Sequence, residues 1–254
     1  MQMRAIILAA GQGLRLGPVT ANSPKCLVDL GGTTILSHQL DNCERAGLDE
    51  AVVVTGAFAT AVDEEIRRWQ GEASRRIRVR TLYNPFFDTA NNMISLWAAR
   101  AVMDTDFITI NGDNVFDWRI LARLASHVGT PITVTIDAKD GYDEDDMKIV
   151  LRDGHIRAMN KQIPLAEANG ESIGIMKFTG AGRRLLFDEL EAMARLSSWA
   201  SEWYVQAVER IAVRGEGVGT MVVDELTWAE VDYPEDLEIA RARFAELAGM
   251  VHHA

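Results

Sequence analysis

Three features of the chain predict an α/β fold: a mostly parallel, mixed sheet with helices on both faces. Short apolar runs alternate with helix-length amphipathic segments through the first half, and crossover helices between strands impose parallel pairing. Glycine-bearing turns follow the first and the fourth of these runs, at the strand ends where open parallel sheets hold ligands. Beyond position 137 the alternation gives way to a β-hairpin and further strands, which predicts a lid built onto the sheet.

The elements follow in order. Residues 4–8 form a strand that is wholly apolar after Arg4, as burial on both faces demands. A helix over 34–46 stops at Gly47. A strand at 51–55, a helix at 62–70 and an alternating strand at 77–83 come next. Then come a helix at 92–102, a strand at 107–110, a helix at 118–127 and a strand at 132–136. In the second half, 148–151 and 156–159 pair around Asp153-Gly154, residues that tolerate the positive φ of a tight hairpin turn. A strand at 173–178, helices at 182–196 and 202–212 and a strand at 219–223 follow. Pro234 sits at a favourable first position for a last helix over 234–247. No repeat or Pro/Ser-rich linker interrupts the chain, which predicts one domain over 1–254 with halves at 1–137 and 138–254.

Bulk properties exclude several classes. A chain of 254 residues can bury a sizeable core. A net charge of −11 opposes a sequence-independent grip on nucleic acid, which needs a basic surface. There is neither an apolar run of membrane-spanning length nor a signal-peptide pattern, so the expectation is a cytoplasmic protein that does not engage membranes. Cys26 and Cys43 have no metal-ligand spacing and are expected as reduced, packed thiols. The histidines are scattered, with His252 and His253 in a tail expected to fray. Zinc chemistry and a histidine triad have no support.

The most informative stretch is Leu8-Ala9-Ala10-Gly11-Gln12-Gly13-Leu14-Arg15-Leu16-Gly17-Pro18-Val19-Thr20, followed by Pro24-Lys25. Gly11 and Gly13 allow a turn that brings bare N–H groups to a polyphosphate. Arg15 offers a fork matched to phosphate oxygens, and Lys25 a compact charge. A P-loop would need a Gly-Lys pair, which is absent, and a dinucleotide fingerprint would need glycine where Leu16 stands. The stretch resembles the signature of nucleotidyltransferases that join a nucleoside monophosphate to a phosphorylated acceptor. Leu14 departs from it, standing where many members carry Ser or Thr.

The resemblance implies a three-layer, Rossmann-like nucleotidyltransferase fold with the hairpin on the acceptor side. It implies that Leu8, Ala9, Ala10, Gly11, Gly13 and Arg15 bind nucleotide. It also implies that Asp113, in Asn111-Gly112-Asp113 after the fourth strand, holds Mg2+ together with Asp232, just ahead of Pro234-Glu235-Asp236-Leu237. Read from the residues alone, Glu235 and Asp236 suit a helix N-terminus. Val54-Thr55-Gly56, Tyr83-Asn84-Pro85, Asn91-Asn92-Met93-Ile94-Ser95-Leu96, Asp146-Met147-Lys148, Asn160-Lys161 and Gly170-Glu171-Ser172-Ile173-Gly174 are similar to the CTP-using branch. That branch acts on phosphocholine, inositol phosphate or aminoethylphosphonate.

Expected roles follow. Arg15, Lys25 and Asp113 are catalytic, while Thr55, Gly56 and Asn92 offer groups to a pyrimidine edge. Lys25, Lys148 and Lys161 suit an anionic acceptor group. A quaternary ammonium would call on Tyr142, Trp199, Trp203, Tyr204 or Trp228, with Tyr204 taken as the acceptor contact. A primary amine would call on Asp143, Glu144, Asp145, Asp146 or Glu171, of which Glu171 is the expected contact and the acidic run a solvated loop. The expected reaction is transfer of CMP from CTP to a small phosphate or phosphonate, releasing pyrophosphate. A sugar-1-phosphate nucleotidyltransferase using UTP, GTP or dTTP, or a silent nucleotide-binding regulator, remains an alternative, and homodimerisation stays open.

Overall fold

The computed structural model describes residues 3–72, 75–223 and 225–251; His252 and His253 lie outside the described residues. Five strands supply the nucleus of the sheet: β1 (Met3–Ala9), β2 (Glu50–Thr55), β3 (Arg78–Tyr83), β4 (Asp106–Asn111) and, beyond the short β5 (Asn114–Phe116), β6 (Ile132–Asp137). Helices α1 (Ile35–Arg45), α2 (Ala59–Gln70), α3 (Asn92–Ala98) and α4 (Trp118–Ser126) connect them. The second half adds β7 (Lys148–Arg152), β8 (His155–Met159), β9 (Gly170–Phe178), α5 (Ala181–Met193), α6 (Tyr204–Val213), β10 (Val218–Val222), β11 (Trp228–Glu230) and α7 (Pro234–Val251).

The main sheet runs β10-β6-β9-β4-β1-β2-β3, with the β7–β8 hairpin hanging from β9. β1 pairs in parallel with β2 and β4, as do β2 with β3 and β10 with β6, whereas β9 is antiparallel to both β4 and β6. The sheet is therefore mixed and mostly parallel. β9, from the second half, lies between two strands of the first.

Strand alternation sorts the apolar residues into two layers. Ile6, Leu8, Val52 and Val54 face one core with Met93, Leu186, Tyr204 and Val208 of α3, α5 and α6. Ala5, Ile7, Ala51 and Val53 face the other with Leu36, Val62, Ile120 and Leu124 of α1, α2 and α4. Cys26 and Cys43 are buried free thiols.

Two features lie outside the sequence reading. The 92–102 helix is α-helical only to Ala98 and tightens into a 3-10 turn over Ala99–Val102. The short strands β5 and β11 pair antiparallel as a separate two-stranded sheet, placing Asn114 opposite Glu230. Beneath it, Val115, Ala229, Val231, Leu237 and Ala240 form a small third cluster that seats α7.

Candidate active site

The chain passes from β1 to β2 and β3 on one side and returns to β4 on the other. This reversal opens a crevice at the carboxyl ends of β1 and β4. The crevice is a cleft of about 390 Å³ lined by the glycine loop, by Asn111-Gly112-Asp113 and by groups from the second half.

Two glycines make the approach possible. Gly112 donates its N–H to Leu8 O at 3.0 Å, and a Cβ there would lie 2.6 Å from that same oxygen. Gly13 has φ 69°, and a Cβ there would meet Lys25 Cβ at 2.9 Å. The glycine loop thus rests on the Lys25 stem, and the Asp113 turn rests on the end of β1.

The two-stranded sheet supplies the rest of the constellation. Val231 donates its N–H to Asp113 O at 3.1 Å, continuing the β5–β11 pairing, and this draws Asp113 beside the segment ending at Asp232. Lys25 Nζ lies 2.8 Å from Asp113 Oδ2 and also bonds Asp232 Oδ1. Arg15 reaches Asp232 Oδ2 at 2.6 Å and Asp145 Oδ2 at 3.3 Å, its guanidinium lying over the Tyr233 ring. Burial opposes the charge of Lys25, but Asp113 and Asp232 outweigh it and hold the ammonium well above the ordinary lysine value. Asp236 accepts from the N–H groups of Asp232 and Tyr233 at 2.9 and 2.7 Å, and so orders the start of α7.

Glu230 was not anticipated. One carboxylate oxygen each from Asp113, Glu230 and Asp232 lie within 4.8 Å of one another. Glu230 is exposed at the end of β11, but desolvation by the surrounding chain and the charges of Asp113 and Asp232 push its carboxyl above the ordinary glutamate value. Asp113 Oδ1 is buried and makes no hydrogen bond. An all-carboxylate donor set with an unpartnered oxygen turned inward fits a hard divalent cation.

Other expected site residues divide between the cleft and the scaffold. Leu8, Ala10, Gly11, Gly13, Arg15, Lys25, Asn92, Asp113, Lys161 and Asp232 line the cleft. Ala9 does not, because its methyl joins the opposite core. Thr55 and Gly56 do not either: the Thr55 hydroxyl turns to Leu82 O, and Gly56 is packed beneath Phe87 and Ala10 O.

Three of the expected acceptor contacts do not line the cleft either. Lys148 is buried and donates Nζ to Asp143 O and Glu144 O at 3.0 and 2.9 Å. Glu171 is taken by Lys139 at 2.7 Å, while burial pushes its carboxyl up to about 7. Tyr204 is fully buried, its hydroxyl donating to Asn111 Oδ1 at 3.2 Å.

A phosphate-type loop beside a carboxylate trio at the turning point of a mixed sheet defines a nucleotide-binding α/β protein. The chain belongs to the family described as the MobA-like NTP transferase domain, which matches residues 5–204. It is 28% identical over 252 residues to a CMP-5'-(3-aminopropyl)phosphonate synthase of Streptomyces rubellomurinus, covering 96% of this chain but only 39% of that protein. It is 21% identical to a CTP:phosphoglutamine cytidylyltransferase of Campylobacter jejuni, over 93% of this chain and 98% of the relative. Among solved structures, the inositol-1-phosphate CTP transferase from T. maritima superposes with a TM-score of 0.81 at 20% identity, covering 97% of this chain and 96% of that one.

Proposed function

We propose that the protein transfers CMP from CTP to an oxygen of a small phosphate or phosphonate acceptor and releases pyrophosphate. The observation that carries this reading is the meeting of Lys25, Arg15, Asp113 and Asp232 at the mouth of β1 and β4. Relatives whose names specify CMP or CTP chemistry support the choice of nucleotide.

In the reaction, an ionised acceptor oxygen bonds the α-phosphorus while the bond from that phosphorus to the bridging oxygen breaks. The nucleophile carries no proton to remove, so a strong general base is unnecessary. Positioning and charge neutralisation then supply the catalysis. Lys25 serves the α-phosphate and the incoming oxygen, and Arg15 serves the departing pyrophosphate. The N–H groups of the Gly11–Gly13 loop cradle the polyphosphate. Asp113 and Asp232, with Glu230 beside them, would hold a magnesium ion. That ion supplies neutralisation of the triphosphate when bound.

Pyrophosphate release, measured with CTP, UTP, GTP and dTTP against a panel of small phosphates and phosphonates, tests the proposal. CTP should support turnover best, and chelation of divalent cations should abolish it. Lys25→Ala and Asp113→Ala should each lower kcat about 10²–10³-fold. Near-normal turnover in either variant, or a clear preference for another triphosphate, defeats the assignment.

A further inference from the structure

Tyr204 is wholly buried and lines no part of the cleft, yet it touches two residues that do. Its hydroxyl donates to Asn111 Oδ1 at 3.2 Å, with Gly174 O at 3.5 Å, and its backbone N–H donates to Asn92 Oδ1 at 3.1 Å. Each contact occupies the carbonyl oxygen of an asparagine amide and turns the NH2 group the other way. Among the described residues, neither Nδ2 meets a protein acceptor, and neither is sealed from solvent. Burial raises the Tyr204 phenol above its ordinary value, so the hydroxyl stays protonated and able to donate.

The backbone is shaped to admit the Asn111 amide. β9 carries extra chain between Ser172 and Met176, opposite Ile136 and Val134 of β6, and Gly174 stands in this bulge with φ 70°. A Cβ at Gly174 would overlap Asn111 Nδ2, so glycine leaves the amide its place. Phe107 of β4 faces the first core and Ile108 and Ile110 the second, which puts Asn111 on the side of α3 and α6. There it shares the cleft lining with Asn92, Trp203 and Val205. The ion-paired Arg15, Lys25, Asp113 and Asp232 form a separate group.

We propose that Asn111 donates its amide N–H to a ribose hydroxyl of the bound nucleotide, and that Tyr204 is the positioning residue that aims it. This rests on the transfer reaction proposed above. In that reading Lys25 and Asp113 serve the α-phosphate and its cation, and Asn111 stands two residues before Asp113. The uncharged oxygens of a nucleotide nearest its α-phosphate are those of the ribose, which is one methylene away; the base lies beyond. A hydroxyl accepts from an amide while keeping its own proton to donate, so the contact needs no charge. Without the Tyr204 hydroxyl, the amide is free to turn over and present its oxygen instead.

Three nucleotides decide the matter: CTP, 2'-deoxy-CTP and 3'-deoxy-CTP, each titrated calorimetrically into the magnesium-loaded protein and assayed for pyrophosphate release with the best acceptor of the panel above. The unaltered protein should bind CTP about 3–10-fold more tightly than at least one deoxy analogue, the range of a single neutral hydrogen bond. Asn111→Leu and Tyr204→Phe should each weaken CTP by about that factor, through KM rather than kcat. Neither should change the affinity of the analogue that lacks the contacted hydroxyl, so the protein and ligand changes are not additive. That unchanged affinity also reports an intact fold. Equal binding of the three nucleotides by the unaltered protein, a preference that survives Asn111→Leu, or a loss in Tyr204→Phe shared alike by CTP and both analogues would overturn the proposal. Hydroxyl discrimination without turnover would uphold the Asn111 contact and remove the transfer reaction; turnover with equal binding of all three would do the reverse.

Discussion

The ammonium of Lys25 lies against the two carboxylates that, in the proposed mechanism, would also hold a divalent cation. Coulomb attraction at such distances is large in a partly buried site, so lysine and cation would compete for the same oxygens. Lys25→Met should therefore bind Mn2+ about tenfold more tightly in the absence of nucleotide, by calorimetry, while transfer falls. A neighbouring residue carries a purely steric constraint. In Gly112→Ala the new methyl would lie 2.6 Å from the Leu8 carbonyl oxygen, which is backbone and cannot rotate aside. A loss of about 1–3 kcal/mol in denaturant unfolding is expected, with a drop in activity as Asp113 shifts. The glycine loop, Lys25, Asp113 and Asp232 could be picked out because their residue types and spacing suit phosphate and cation chemistry, and the fold brings them to one cleft. Glu230 was legible only in principle: it stands two residues before Asp232, and in extended chain such residues share a face. Which member of the acidic run would reach the cleft was not legible: Asp145 does, while Lys148 holds the carbonyls of Asp143 and Glu144.

The elements of the main sheet were readable from hydrophobic period, with ends displaced by up to three residues. The β5–β11 sheet was not. Strands of three residues are too short to show a period, and their partners lie far apart in the chain. Yet this small sheet sets the distance between Asp113 and Asp232. Val115 is fully buried within it, against Ala229 and Val231. Val115→Ala should cost about 1–3 kcal/mol by the loss of packed methyl groups. It should also weaken Mn2+ binding more than an equally destabilising change in the α5–α6 layer does. Equal effects of the two on metal affinity would show that the sheet has no part in aligning the carboxylates.

At the scale of the whole molecule, His38 joins three regions. Its ring lies edge-on to Phe116 of β5 and Phe244 of α7, with centroids 6.0 and 5.4 Å away. Burial holds its imidazole down to about 4, whereas an unfolded histidine titrates near 6.5. Between those values the unfolded chain takes up a proton that the folded chain refuses. Stability is therefore fully present above pH 6.5 and declines as the pH falls toward 4, by at most about 1.4 kcal/mol per pH unit from this group. Urea unfolding at pH 7, 6 and 5 should show this slope, and His38→Gln should flatten it.

The insertion of β9 between β4 and β6 also governs how the protein emerges during synthesis. β4 can pair with β1 as soon as it emerges, but neither β4 nor β6 can pair with β9 until residues near 178 have left the ribosome, so the central hydrogen-bond ladder closes late and across a long span of chain. Such nonlocal closure is slow. It leaves two apolar edges waiting in the nascent chain, and these are surfaces that a chaperone would have reason to shield.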